Sequence, residues 1–149
     1  MKTTRNALLC SLVIGFGLAQ NGIAGQDPAA IAEAEIARLQ QALDAGDLDA
    51  LMQFYGEDAV VLPPTDETLT HPAAIRAFWR RRADSLRHFD VDWVRCEQTG
   101  DTIYSAGVWS ATRNGGDSGE SGEYTGGNVV TVFTRQPDGT WKTTLQTWN

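Results

Sequence analysis

Apolar residues along this chain change their period from about 3.6 to 2 near His88, dividing a helical first half from a stranded second half. Ala32, Ile36, Leu39 and Leu43 recur at helical spacing, with Glu33, Glu35, Arg38 and Gln40 on other faces. Asp27-Pro28 supplies the start, a carboxylate cap followed by proline in the first turn, where no amide hydrogen is needed. A first helix to about Asp44 is predicted, ended by the turn Ala45-Gly46. Asp47 then caps a second helix that places Leu48, Leu51, Met52 and Tyr55 on one face. Gly56-Glu57-Asp58 breaks it, and Ala59 to Leu62 reads as a strand closed by Pro63-Pro64. The polar run Thr65 to Thr70 is read as a loop. Thr70-His71-Pro72 opens a third helix with Ile75, Phe78, Trp79 and Arg82 on one face.

Beyond His88 the pattern alternates. Phe89, Val91 and Trp93 interleave with Asp90, Asp92 and Val94 in a strand ending near Thr99-Gly100-Asp101. Thr102 to Arg113 forms a second strand, with Ile103, Ser105, Gly107 and Trp109 on one face, and the short turn between them predicts an antiparallel hairpin. Asn114 to Glu123, rich in glycine and acids, reads as a loop between strands. Tyr124 to Arg135 is the next strand, Gln136-Pro137-Asp138-Gly139 a tight turn, and Thr140 to Trp148 the last strand. In that strand Trp141, Thr143, Leu145 and Thr147 alternate with Lys142, Thr144, Gln146 and Trp148. Three helices followed by an antiparallel meander define an α+β class, with no internal repeat and no linker. A curved sheet wrapped on helices leaves an apolar pocket between the two layers.

The first residues stand outside this pattern. Lys2 and Arg5 precede an apolar run from Ala7 to Ala19, with Gly22 and Ala24 as small residues before a cut. This predicts a signal peptide over residues 1–24, since a membrane span needs roughly 18 or more apolar residues. The domain is then residues 25–149, in the periplasm or the medium, with no membrane attachment after cleavage. Loss of Lys2 and Arg5 deepens a formal net charge of −7, which disfavours nucleic acid as a partner. Cys96 becomes the one cysteine, so no internal disulfide forms, and it reads as a half-buried strand thiol.

Candidate chemistry is sparse. No nucleophile elbow, phosphate loop or paired-cysteine motif occurs, and His71 and His88 lie in unrelated elements, so neither a metal nor a cofactor is expected. The acids Asp117, Glu120 and Glu123 match no calcium-loop spacing and read as solvated. Arg76, Arg80 and Arg81 read as a solvated face, with anion binding as the alternative. His71 and Asp58 are the candidate acid or base, against capping roles for both. Trp79, Trp109 and Trp148 are candidate pocket walls, and Tyr55, Asn128 and Gln146 candidate polar contacts to a ligand.

The stretch AGDLDALMQFYGEDAVVLPP, the later HPAAIRAFW and the terminal PDGTWKTTLQTWN resemble the SnoaL-like, ketosteroid-isomerase-like branch of the nuclear transport factor 2-like superfamily. The resemblance spans about Ile31 to Asn149. It implies a cone-shaped curved antiparallel sheet packed against three N-terminal helices, with a pocket between them, and a homodimer through the sheet's outer face. It also implies where an isomerase would hold its aspartate base, tyrosine and second acid. Those positions carry Pro63, Leu39 and about Thr131, so steroid isomerisation by that mechanism is not expected. Relatives often carry glycine at His71 and an acid at Gln146. Three functions stay open: binding of a small organic ligand, a cofactor-free lyase, isomerase or hydrolase, and an association module.

Overall fold

The computed structural model describes residues 26–65, 67–82, 85–113 and 123–149. The expected leader and residues 114–122 of the acid-rich loop, with Asp117 and Glu120 of its calcium alternative, lie outside these residues, and Glu123 opens a strand in place of ending that loop. Elements follow in the order α1 (Pro28–Ala45), α2 (Leu48–Met52), β1 (Tyr55–Leu62), α3 (Pro72–Arg80), β2 (Leu86–Thr99), β3 (Thr102–Arg113), β4 (Glu123–Arg135) and β5 (Trp141–Trp148).

Local chemistry sets the helix ends. The Asp27 carboxylate accepts from the Ala29 amide at 3.0 Å, satisfying one of the orphan donors of α1. Gly46 takes a left-handed φ of 65° and its amide donates back to Leu43, closing the helix where a side chain would be strained. Asp47 caps α2 through the amides of Asp49 and Ala50. The buried stripe of α1, including Ile36, Leu39 and Leu43, packs on the inner face of the sheet, chiefly against β2. Fully buried side chains such as Leu39, Ile103 and Phe133 form this core, each worth about 1.5–3 kcal/mol of transfer free energy.

The sheet is curved and unclosed, in the order β1-β5-β4-β3-β2. Strands β2 to β5 form the expected antiparallel meander. Strand β1 adds to its edge parallel to β5, which qualifies the wholly antiparallel expectation. Hairpin turns force the meander strands to alternate, whereas β1 reaches the rest of the sheet through α3 and is under no such constraint.

Register shifts on β1, β2 and β5 correct the simple alternation. On β1, Tyr55 pairs with Thr143 and Val60 with Leu145, so the strand begins at Tyr55 and α2 stops at Met52. Tyr55 thus belongs to a strand, not to the helical face expected for it. Its burial and the Thr143 amide donating to the Phe54 carbonyl at 2.8 Å override the helical spacing. On β5, Val132 faces Leu145 while Phe133 faces Thr143, leaving Thr144 as the extra residue. Gln146 therefore shares the buried face with Trp141 and Thr143, in place of Leu145 and Thr147. On β2, Trp93 faces Gly107 and Arg95 faces Ala106, so Val94 is left over and is 78% exposed. Cys96 follows as a half-buried free thiol packed on the core. Gly107 is required here, because a Cβ would collide with the Asp92 carbonyl on the neighbouring strand.

Candidate functional site

Helix α3 has Pro72 in its first turn, and its buried residues Ile75, Phe78 and Trp79 face the sheet. Between this helix and the inner face of the sheet lies a cavity of about 580 Å³. Phe78 and Trp79 of α3, Phe89 of β2, Trp109 of β3 and Trp148 of β5 make its aromatic walls. Trp79 and Trp148 stack with centroids 6.1 Å apart and planes 20° from parallel. Phe78 meets Trp148 edge-on at 5.8 Å, and Phe89 stacks on Trp109 at 6.1 Å. The Trp109 indole donates to the Asn149 carbonyl at 3.0 Å, which fixes one wall in place.

One polar chain is built into these walls. The Trp79 indole donates to the Tyr55 hydroxyl at 3.0 Å, and that hydroxyl donates to Gln146 Oε1 at 2.7 Å. Burial pushes the Tyr55 hydroxyl far above the ordinary tyrosine range, with the Trp79 hydrogen bond offsetting part of the rise. The phenol therefore stays protonated near neutrality and acts as a relay of hydrogen bonds rather than a base. Arg82 is the charged residue among the described lining residues; its guanidinium lies 3.8 Å from the Phe78 ring centroid. Among the described residues Arg82 makes no ion pair, unlike Arg76 with Asp49 and Arg81 with Glu67.

Of the expected site residues, the fold brings Trp79, Trp109, Gln146 and Trp148 together on the cavity and places Tyr55 directly behind Gln146. Asn128 lies exposed on β4, where its backbone amide binds the side chain of Asn149 at 2.7 Å; it does not line the cavity. His71 occupies the N-cap position of α3 but is exposed and makes no side-chain cap bond. Asp58 is exposed within the shifted stretch of β1. Neither borders the cavity. Among the described residues no group of three metal-ligating side chains converges.

Phe78, Phe89 and Arg82 line the site without having been singled out for it. Arg82 carried a readable signal, a cation on the same helical face as Ile75, Phe78 and Trp79. Phe89 stood at the start of an alternating strand, where nothing separates a wall from core.

Comparison with known proteins places this geometry. The model of the SnoaL-like domain matches residues 36–143. No curated protein matches the chain. An NTF-2 like protein of unknown function from Shewanella oneidensis MR-1 is 16% identical, with TM-score 0.67 over 82% of this chain and 98% of that one. A ketosteroid isomerase-like protein from Erwinia carotovora atroseptica is 14% identical, with TM-score 0.69 over 83% and 95%. ActVI-ORFA from Streptomyces coelicolor is 18% identical, with TM-score 0.68 over 81% and 95%. At these identities the likeness to solved structures is one of fold. With the family model covering most of its helices and strands, the chain belongs to the SnoaL-like domain family, and it shares its fold with these solved structures.

Proposed function

We propose that this chain is an exported, dimeric domain that binds a small, largely apolar organic ligand in the cavity between α3 and the sheet. The observation that carries the binding reading is the composition of the cavity. Its described lining side chains are aromatic and aliphatic with a few neutral polar groups and Arg82, and none is a carboxylate, imidazole or thiol. A volume of about 580 Å³ falls within the range of small-molecule sites. Proton-transfer catalysis needs a titratable group within hydrogen-bond reach of the substrate, and His71 and Asp58 stand elsewhere. The enzyme reading is therefore second.

The test is a screen of tryptophan emission against small aromatic and terpenoid compounds, followed by calorimetry on the hits. Binding that weakens several-fold in Trp148→Leu, on the scale of one aromatic contact, supports the proposal. A cavity that no compound enters removes it. Turnover lost in His71→Ala or Asp58→Asn, with affinity intact, would transfer the site to the enzyme reading. Export is tested by sequencing the amino terminus of protein recovered from a bacterial host, where an uncut start in the cytoplasm rejects it.

Dimerisation draws on a separate observation. Val94, Tyr104, Val108 and Val130 are exposed on adjacent strands β2, β3 and β4, and Ala106 pairs with Val130. An apolar stripe across the outer face suits a self-complementary contact with a second copy.

A further inference from the structure

We infer that the cavity selects an apolar carboxylate, an aromatic or terpenoid acid in its ionised form. This rests on the ligand-binding reading and narrows it to one ligand class.

The inference begins at Trp79. An indole N–H only donates, so the Tyr55 oxygen, 3.0 Å away, must accept from it. The phenol proton must then go to another acceptor, and among the described residues Gln146 alone meets it, at 2.7 Å. An amide presents an oxygen and two N–H groups of similar shape, and the donor-only indole decides which of them faces Tyr55. It is Oε1. The Gln146 –NH2 is left over, on a side chain 3% exposed that lines the cavity, and it makes no hydrogen bond among the described residues. This amide nitrogen is not among the fully buried atoms without a partner, so it opens on the cavity, where an arriving acceptor oxygen gains its N–H donors without displacing a protein partner.

Arg82 supplies the sign of charge. Its guanidinium offers five N–H donors and no acceptor, lies over Phe78 and has no carboxylate partner among the described residues. A ketone would satisfy Gln146 and leave that charge unused. An ammonium would meet donors at Gln146 and repulsion from Arg82. A carboxylate accepts from the amide and is drawn by the guanidinium across aromatic walls that screen charge poorly.

The experiment compares three probes on one ring system by calorimetry at neutral pH: naphthalene-2-carboxylate, 2-methylnaphthalene and 2-(aminomethyl)naphthalene. The carboxylate is expected to bind about tenfold or more tighter than the ammonium, the scale of a charge-assisted hydrogen bond. Arg82→Gln and Gln146→Glu are each expected to lower carboxylate affinity about tenfold while methylnaphthalene affinity holds within about twofold. Gln146→Glu keeps an acceptor for Tyr55, and hydrocarbon binding reports that each variant retains its cavity. An ammonium that binds as tightly as the carboxylate overturns the inference, as does a preference unchanged in both variants. If methylnaphthalene binds and the carboxylate does not, the charge assignment fails while the pocket stands. If none of the three binds, the ligand-binding reading fails and takes this one with it.

Discussion

Tyr55 and Gln146, 91 positions apart in the chain, are joined by a buried 2.7 Å hydrogen bond between the first strand and the last. The phenol also accepts from Trp79, so removing one oxygen strands two groups. Tyr55→Phe is expected to destabilise the domain by about 2–3 kcal/mol, more than a lone hydrogen bond, because the indole N–H and the amide oxygen both lose their partner. Denaturant unfolding measures it. A loss under about 0.5 kcal/mol would show that these groups find other partners.

Glu35 on α1 is 5% exposed and pairs with Arg38 at 3.0 Å. Desolvation nonetheless raises its pKa above the usual carboxylate value, the attractions of Arg38 and Lys142 offsetting only part. An acid whose folded pKa is raised favours the folded state below its unfolded pKa and loses that contribution as pH rises through the folded value. Glu35→Gln should therefore stabilise the domain at pH 7, with the advantage shrinking as pH falls towards 4.5. Thermal melts across pH check the sign. A variant less stable at pH 7 would mean that the pair with Arg38 outweighs burial.

Ser105, Thr131 and Thr143 carry fully buried hydroxyls with no hydrogen-bond partner among the described residues. Ser105 and Thr131 face each other across β3 and β4, and Thr131 faces Gln146 across β4 and β5. Thr131→Val keeps the shape and removes an unpaired polar atom, so a gain of about 1 kcal/mol is expected in denaturant unfolding. A comparable loss would show that this hydroxyl is satisfied in solution.

Val130, on the outer face, tests the dimer. Val130→Glu should reduce the scattering mass from two chains to one at micromolar concentration and leave calorimetric ligand binding unchanged. A wild type that is already one chain would remove the proposal.

Much of the fold was legible because its elements repeat a period. Ile75, Phe78 and Trp79 at helical spacing reported the buried face of α3, and Ile103, Ser105 and Trp109 reported that of β3. The site was less legible because single extra residues reset its faces. Thr144 turns Gln146 and Trp148 inward, and the shift beyond Tyr55 moves that residue from an apparent helix to a strand. Such bulges preserve composition and local propensity, so alternation counted along one strand cannot find them. Arg82 shows the converse: its position was plain, but its use depends on a cavity assembled from four other elements.

The parallel edge pairing of β1 with β5 also bears on how the protein folds. Leu62 and Thr147 lie side by side 85 positions apart in the chain, so the β1–β5 pairing closes far longer loops than the hairpins of the meander. The hairpins β2–β3 and β4–β5 need only short loops and are expected to form early, on the microsecond scale of hairpins. Tyr55 and Gln146, 91 positions apart, are expected to meet after that meander forms, because their encounter carries a larger loop-closure entropy. Ligand binding would thus report the slowest folding step, and a chain with most of its sheet formed would still be unable to hold a ligand.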